Sequence, residues 1–354
     1  MKRATKTPVD LVGFLSLNRK RLSPLLVLSH DYPDPDALAS AYALWYLAQH
    51  VSGIRTRIVY RGVIGREENK EMVRVLNIPV HRLRDDDFES FRSVALVDTE
   101  PSFDNNPFPR RRRAAIVVDQ HDAGGKPKAD FALVNVTAGA TSVLLAREFL
   151  ANDIEIPRNI ATALVYGILT DTLNLHRAGQ SEAQEMYMAL LPKCDLKMLA
   201  FIQNPSRPEE FFNTFARGLL RATIRDRLIV SHLGDVESPE FTSQMADFLL
   251  ACRGMEWSFC TGRVGTNLHV SLRAATSPPR VVSILRSVLH RIGRGGGHGH
   301  IAGGKLVVRA PLGSNKWNAL ELLLTSRLVK SLRLPARSLF RPLVRLDHSH
   351  MGGN

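Results

Sequence analysis

The spacing His30-x-x-x-Asp34-x-Asp36 gathers one imidazole and two carboxylates between an apolar run, Leu25 to Leu28, and a long apolar-periodic segment that starts at Leu38. Pro33 and Pro35 lack a backbone N–H and push the residues before them toward extended geometry. Asp34 and Asp36, two apart, should therefore point their carboxylates the same way. Such a set at the carboxyl end of a strand suits a hard divalent cation, and open α/β sheets hold ligands at that edge. The competing reading is that Asp36 only caps the helix and His30 is incidental.

The elements that must position these groups read as strand, loop and helix. Leu25 to Ser29 is the strand, and Leu38 to Val51 is a helix, apolar on most of its surface and hence largely buried. Ile54 to Tyr60 alternates as a strand should, and Glu67 to Leu76 has helical spacing. Val94 to Val97 runs into Asp98-Thr99, and Ala115 to Val118 into Asp119-Gln120-His121, so each is a buried strand ending in an acid. Helices follow at Ala140 to Ala151, Ile160 to Leu169 with Asp171 just beyond, Glu182 to Leu191, Leu196 to Ile202 and Glu209 to Ala222. This alternation predicts an α/β fold with a parallel, doubly wound sheet. Acids at four element ends on one edge of such a sheet can surround two cations about 3.5 to 4 Å apart, the arrangement that clamps a phosphoryl group. With no thiolate among the ligands, the set selects manganese or magnesium over zinc.

These residues resemble the DHH phosphoesterases. His30-x-x-x-Asp34-x-Asp36 is similar to the family's first motif, Val97-Asp98-Thr99 to its second, Asp119-Gln120-His121 to the Asp-His-His that names it, and Gly167 to Thr172 to its fourth. The glycine run Gly293 to Gly299, with Ala302-Gly303, resembles the C-terminal domain associated with that family. The resemblance implies that His30, Asp34 and Asp98 hold one Mn2+ or Mg2+ ion and that Asp36, Asp98 and Asp171 hold a second. It also implies that Asp119 and His121 serve catalysis, with His121 on the substrate phosphate. Arg273 and a loop of Gly295, Gly296, Gly297 and His298 would take a terminal phosphate from across the cleft between two domains. Glycines let backbone N–H groups approach an anion, and an arginine adds a bidentate pair. Gln120 stands where the family places a metal-binding histidine, so the second cation should be held more weakly. Leu173 stands where a glycine is common. The implied activity is metal-dependent hydrolysis of short oligonucleotides or nucleoside 3′,5′-bisphosphates; a pyrophosphatase, or a catalytically weakened nucleotide-binding or regulatory relative, is the alternative.

Length and composition fit this outline. A chain of 354 residues exceeds the usual size of one core. The expected organisation is a phosphoesterase domain over 1–190, a helical linker over 191–209, a smaller α/β domain over 210–330 and a basic tail over 331–354. In the second domain, Arg227 to Leu233, Trp257 to Val264 and Asn267 to Arg273 read as strands, and the tail as loosely packed and solvated. Cys194, Cys252 and Cys260 form no Cys-x-x-Cys pair, which argues against a disulfide framework or zinc knuckle. No run of about 18 apolar residues predicts a membrane span, and the basic N-terminus is wrong for a secretory signal, giving a cytoplasmic reading. A net charge of +13 favours acidic partners, here short single-stranded RNA or DNA or a nucleotide, with a homodimer left open.

Overall fold

Six strands form one parallel sheet in the computed structural model, which describes residues 10–176, 181–276, 280–308, 313–335 and 338–345. The strands are β1 (Leu25–Ser29), β2 (Thr56–Tyr60), β3 (Val80–Arg82), β4 (Ser93–Val97), β5 (Ala114–Asp119) and β6 (Ala129–Val134), in the order β3-β2-β1-β4-β5-β6. They lie in the first of two units, Met1–Ser206; the second is Arg207–Asn354. The helices of the first unit are α1 (Leu11–Leu17), α2 (Arg19–Leu22), α3 (Pro35–Tyr46, continuing as a π turn to Val51), α4 (Glu67–Val75), α5 (Asp87–Ser90), α6 (Thr141–Ala151), α7 (Arg158–Asp171), α8 (Ser181–Leu190) and α9 (Leu196–Gln203).

The central strands are buried on both faces. Leu25, Val27, Ala95, Val97, Ile116 and Val118 face the core made by α3, α6 and α7, while Leu26, Leu28, Val94, Leu96 and Val117 face a second cluster with Phe88 and Phe108. Strands buried on both sides lose the in-out alternation of an exposed sheet and read as continuous apolar runs. The helix α9, expected within a linker, instead buries Leu199 and Ile202 in the first unit's core.

The second unit carries α10 (Glu209–Arg221), β7 (Thr223–Arg225), β8 (Leu228–Asp235), α11 (Glu240–Leu250), β9 (Trp257–Val264), β10 (Asn267–Ala274), α12 (Val281–Val288), β11 (Arg294–His298), β12 (Ile301–Val307), α13 (Ser314–Ser331) and β13 (Arg341–Pro342). Its mixed sheet has the order β11-β12-β10-β9-β8-β7-β13, with β8 and β9 parallel and the other pairs antiparallel.

Two expectations change here. The glycine run is not a loop: it is the edge strand β11, in which Gly295 pairs with Gly304 and Gly296 with Gly303. A Cβ on Gly297 (φ +145) would lie 2.1 Å from the Ile301 carbonyl oxygen, so glycine serves close backbone approach there. The tail is not wholly loose either. Arg341–Pro342 pairs with β7, Leu343 packs on the core beneath, and Arg225 donates to the Pro335 carbonyl oxygen at 2.8 Å.

Candidate metal centre

The strand order reverses direction of growth between β1 and β4, the switch point at which open α/β sheets bind ligands outside the carboxyl ends of their strands. His30 follows β1, and Asp34 caps α3, its Oδ1 accepting from the Ala37 N–H at 3.0 Å, with Pro35 pre-shaped for the first helical position. Asp98 leaves β4 in a left-handed conformation (φ +56) while its N–H still bonds the Val118 carbonyl oxygen at 2.9 Å. A non-glycine residue held there costs on the order of 1 kcal/mol, a strain typical of functional positions. Asp119 ends β5. Asp171 is the last residue of α7, where the helix dipole disfavours an anion.

The side chains converge. His30 Nδ1 lies 2.8 Å from the Asp31 carbonyl oxygen, which can only accept, so Nδ1 carries the proton and Nε2 turns toward Asp98 Oδ2 at 3.4 Å and Asp34 Oδ1 at 3.7 Å. On the other side of Asp98, His121 Nδ1 lies 3.6 Å from Asp98 Oδ1 and 2.8 Å from Asp119 Oδ1, which also accepts the His121 backbone N–H at 3.1 Å. Thus His30, Asp34 and Asp98 form one group whose ligand atoms lie within 4.8 Å of one another, and Asp98, Asp119 and His121 form another. Asp98 is common to both.

Asp36 and Asp171 are placed differently. Both oxygens of the fully buried Asp36 accept backbone N–H groups at the start of α6, Thr141 at 2.7 Å and Ser142 at 2.8 Å. Asp171 Oδ2 accepts from the Gln120 side-chain amide at 2.5 Å. Gln120 therefore meets Asp171 through a donated hydrogen bond. Among the described residues, neither Asp36 nor Asp171 joins the two groups above. Thr141, which sequence reasoning passed over, donates its hydroxyl to Asp98 Oδ1 at 2.8 Å from a fully buried position.

Residues 24–168 match the model of the DHH family, N-terminal domain. The first unit carries a DHH domain. An uncharacterized protein of Methanocaldococcus jannaschii is 32% identical over 295 residues, 83% of this chain and 59% of that protein. A probable manganese-dependent inorganic pyrophosphatase of Streptococcus pyogenes is 31% identical over 156 residues, 44% of this chain and 50% of that protein. The chain thus spans roughly half the length of the relatives it matches. An exopolyphosphatase-related protein from Bacteroides fragilis shares the fold at a TM-score of 0.68 and 15% identity, covering 91% of this chain and 97% of that one.

The electrostatics of the DHH domain's acidic cluster test whether it suits a cation. Burial, then the charges of Asp98 and Asp34, push Asp36 up to about 8. Burial, then Asp36, Asp34 and Asp98, push Asp171 up to about 10. Burial also opposes ionisation of Asp34, but the hydrogen bond and charge of His30 outweigh it and hold that carboxyl at about 2. His121 reaches about 9 because Asp119 and Asp98 overcome the effect of its burial. So many carboxylates cannot all ionise together without positive charge among them. Asp119 Oδ2 is moreover buried without a hydrogen-bond partner among the described residues, and His30 presents an orientated Nε2. Oxygen and imidazole donors of this kind fit manganese or magnesium.

The expected residues of the second unit belong to its mixed sheet. Arg273, in β10, is only 5% exposed; its Nε donates to Asp247 and its Nη1 to Ser271 Oγ at 2.7 Å. Gly295, Gly296 and Gly297 lie in β11. His298 ends that strand, and its side chain is outside the described residues.

Proposed function

We propose that the chain is a manganese- or magnesium-dependent phosphohydrolase acting on short oligonucleotides or nucleoside bisphosphates. The convergence of His30, Asp34, Asp98, Asp119 and His121 at the switch point of the parallel sheet carries this reading. His30, Asp34 and Asp98 would hold one divalent ion, and Asp98, Asp119 and His121, or Asp36, Asp98 and Asp171, a second. When bound, such ions draw charge from phosphoryl oxygens and favour attack by water.

The chain's own residues prepare the site. Thr141 fixes the rotamer of Asp98, the Asp31 carbonyl fixes the tautomer of His30, and Asp119 holds His121 by Nδ1. With the second ion on Asp36, Asp98 and Asp171, His121 Nε2 is the nitrogen that would donate to a substrate phosphate oxygen and offset the charge developing there. The net charge of +13 supports a polyanionic substrate. Hydrolysis of inorganic pyrophosphate is the second reading, favoured by the match to the Streptococcus pyogenes protein.

A substrate panel separates them: pyrophosphate, adenosine 3′,5′-bisphosphate, a dinucleotide and a five-nucleotide RNA, each with manganese and with magnesium. Nucleoside monophosphate or phosphate release from the nucleotide substrates supports the first reading, and turnover of pyrophosphate alone the second. Binding of nucleotides with no hydrolysis under either cation overturns both and leaves a nucleotide-binding relative.

A further inference from the structure

An open groove of about 730 Å3 is built wholly from the second unit, with α10 on one side, α13 on the other and the irregular end of β8 beneath. Three arginines line it, and their charges are balanced unequally. Arg263 is neutralised by the buried Glu321, with Nε 3.2 Å from Oε1 and Nη2 3.0 Å from Oε2, and its guanidinium lies 5.3 Å from the Trp317 ring centroid. Arg217 and Arg221, one helical turn apart on α10, meet only main-chain oxygens among the described residues. Arg217 Nη2 donates to the Asp235 carbonyl at 2.8 Å, and Arg221 Nη1 to those of His232 and Leu233 at 3.3 Å each. Carbonyl oxygens position a guanidinium without cancelling its charge. The exposed Asp235 offsets one of the two, so the lining keeps a positive excess.

Two further details show a donor surface. Arg217 Nε is buried and has no acceptor among the described residues, a state that is costly unless something supplies one. Gly234 (φ +76) clears room for the neighbouring guanidinium: a Cβ there would lie 2.8 Å from Arg221 Nη1. His232 is held by Thr261 and Thr325 at its two nitrogens, and burial lowers its pKa. Two guanidinium forks offer the several donors that a tetrahedral oxyanion accepts, and the volume falls in the range of roughly 300 to 1,000 Å3 that suits a small organic ligand.

We propose that this groove binds a phosphate-bearing ligand of nucleotide size, with Arg217 and Arg221 on its phosphate. The test uses the full chain carrying Asp98→Asn in excess chelator, so that hydrolysis and metal-bridged binding are both silenced. Calorimetric titration with adenosine monophosphate should show binding, weakened at least about tenfold by Arg217→Gln with Arg221→Gln. Ser314→Glu, at an exposed first-turn position of α13 where an acid suits the helix dipole, should weaken it as well by bringing negative charge into the groove. If the arginine variant melts early, Ser314→Glu decides alone. No binding in chelator, or an affinity unchanged in these variants, overturns the proposal; inorganic phosphate bound as tightly as the nucleotide overturns the assignment of size. Residual hydrolysis by Asp98→Asn would count against the catalytic reading and leave this one standing.

Discussion

Gln120→His should make the DHH domain weaker without manganese and recover part of the loss with it. In the present structure the Gln120 amide donates to the Asp171 carboxyl, and leaving such a half-buried group without its partner costs roughly 1 to 3 kcal/mol. Losing about 2 kcal/mol in a unit of this size lowers the melting temperature by about 4 to 8 °C. An imidazole in the same place supplies a ligand where the amide supplies a donor. A gain of about tenfold in affinity at the weaker metal position is worth about 1.4 kcal/mol, so saturating manganese should restore about 3 to 5 °C of the loss. Calorimetric manganese titration and thermal melts of both proteins, with and without chelator, read the two effects separately. Two equally tight sites in the wild type, or the same melting deficit with and without manganese, would refute the reasoning.

Asp98→Asn should lower hydrolysis at least about 100-fold and loosen manganese, because one carboxylate serves both ligand groups; a steady-state assay within a few-fold of wild type would remove Asp98 from the site. Arg273→Ala should destabilise the second unit by roughly 2 to 4 kcal/mol, since it strips contacts from Asp247 and a buried serine, whereas Arg273→Lys should keep the fold; denaturant melts check the first, and a rise in KM for the lysine variant would show that the group also meets substrate. The second unit should lose stability as pH falls below 6.5. Burial, with Arg263 and Arg221 adding to it and Glu321 opposing, lowers the pKa of His232 from its ordinary 6.5. The unfolded chain therefore takes up a proton before the folded one does, and the stabilisation is present above 6.5 and lost as pH falls toward the depressed value. Denaturation at pH 5.5 and 7.5 should show the loss in the wild type and much less of it in His232→Gln.

Sequence alone showed the central strands because burial on both faces leaves their residues apolar throughout, and it showed the acids because each stands where an apolar run stops. The flanking strands β3 and β6 escaped notice. Val80-His81-Arg82 is short and partly exposed, and β6 alternates half-buried and exposed residues along an outer position. The glycines of β11 misled because glycine disfavours strands in general; that they face Gly303 and Gly304 is a fact of pairing, not of composition. Helix α13 went unread since its leucines cluster around Leu322 instead of repeating, leaving Leu322 and Leu323 exposed. Within the site, the proximity of His30, Asp34, Asp98, Asp119 and His121 follows from strand order, which the alternating pattern suggests. The contact of Thr141 with Asp98 depends on how α6 sits on the sheet, and no local signal encodes it.

The strand order also dictates when the site can exist during folding. Within the sheet, β1, β2 and β3 pair with sequence neighbours, as do β4, β5 and β6, and each set can close through short crossovers. The seam between them, where Leu25 meets Ser93, joins parts of the chain separated by both β2 and β3. Its closure carries the larger loop entropy and should come late. His30 and Asp34 lie on one side of that seam and Asp98 and Asp119 on the other. The group of His30, Asp34 and Asp98 is consequently incomplete in a half-formed sheet, and a cation is held by it only once the seam has closed. Its influence should fall on the unfolding rate, holding the seam shut once made, while the rate of folding stays nearly unchanged.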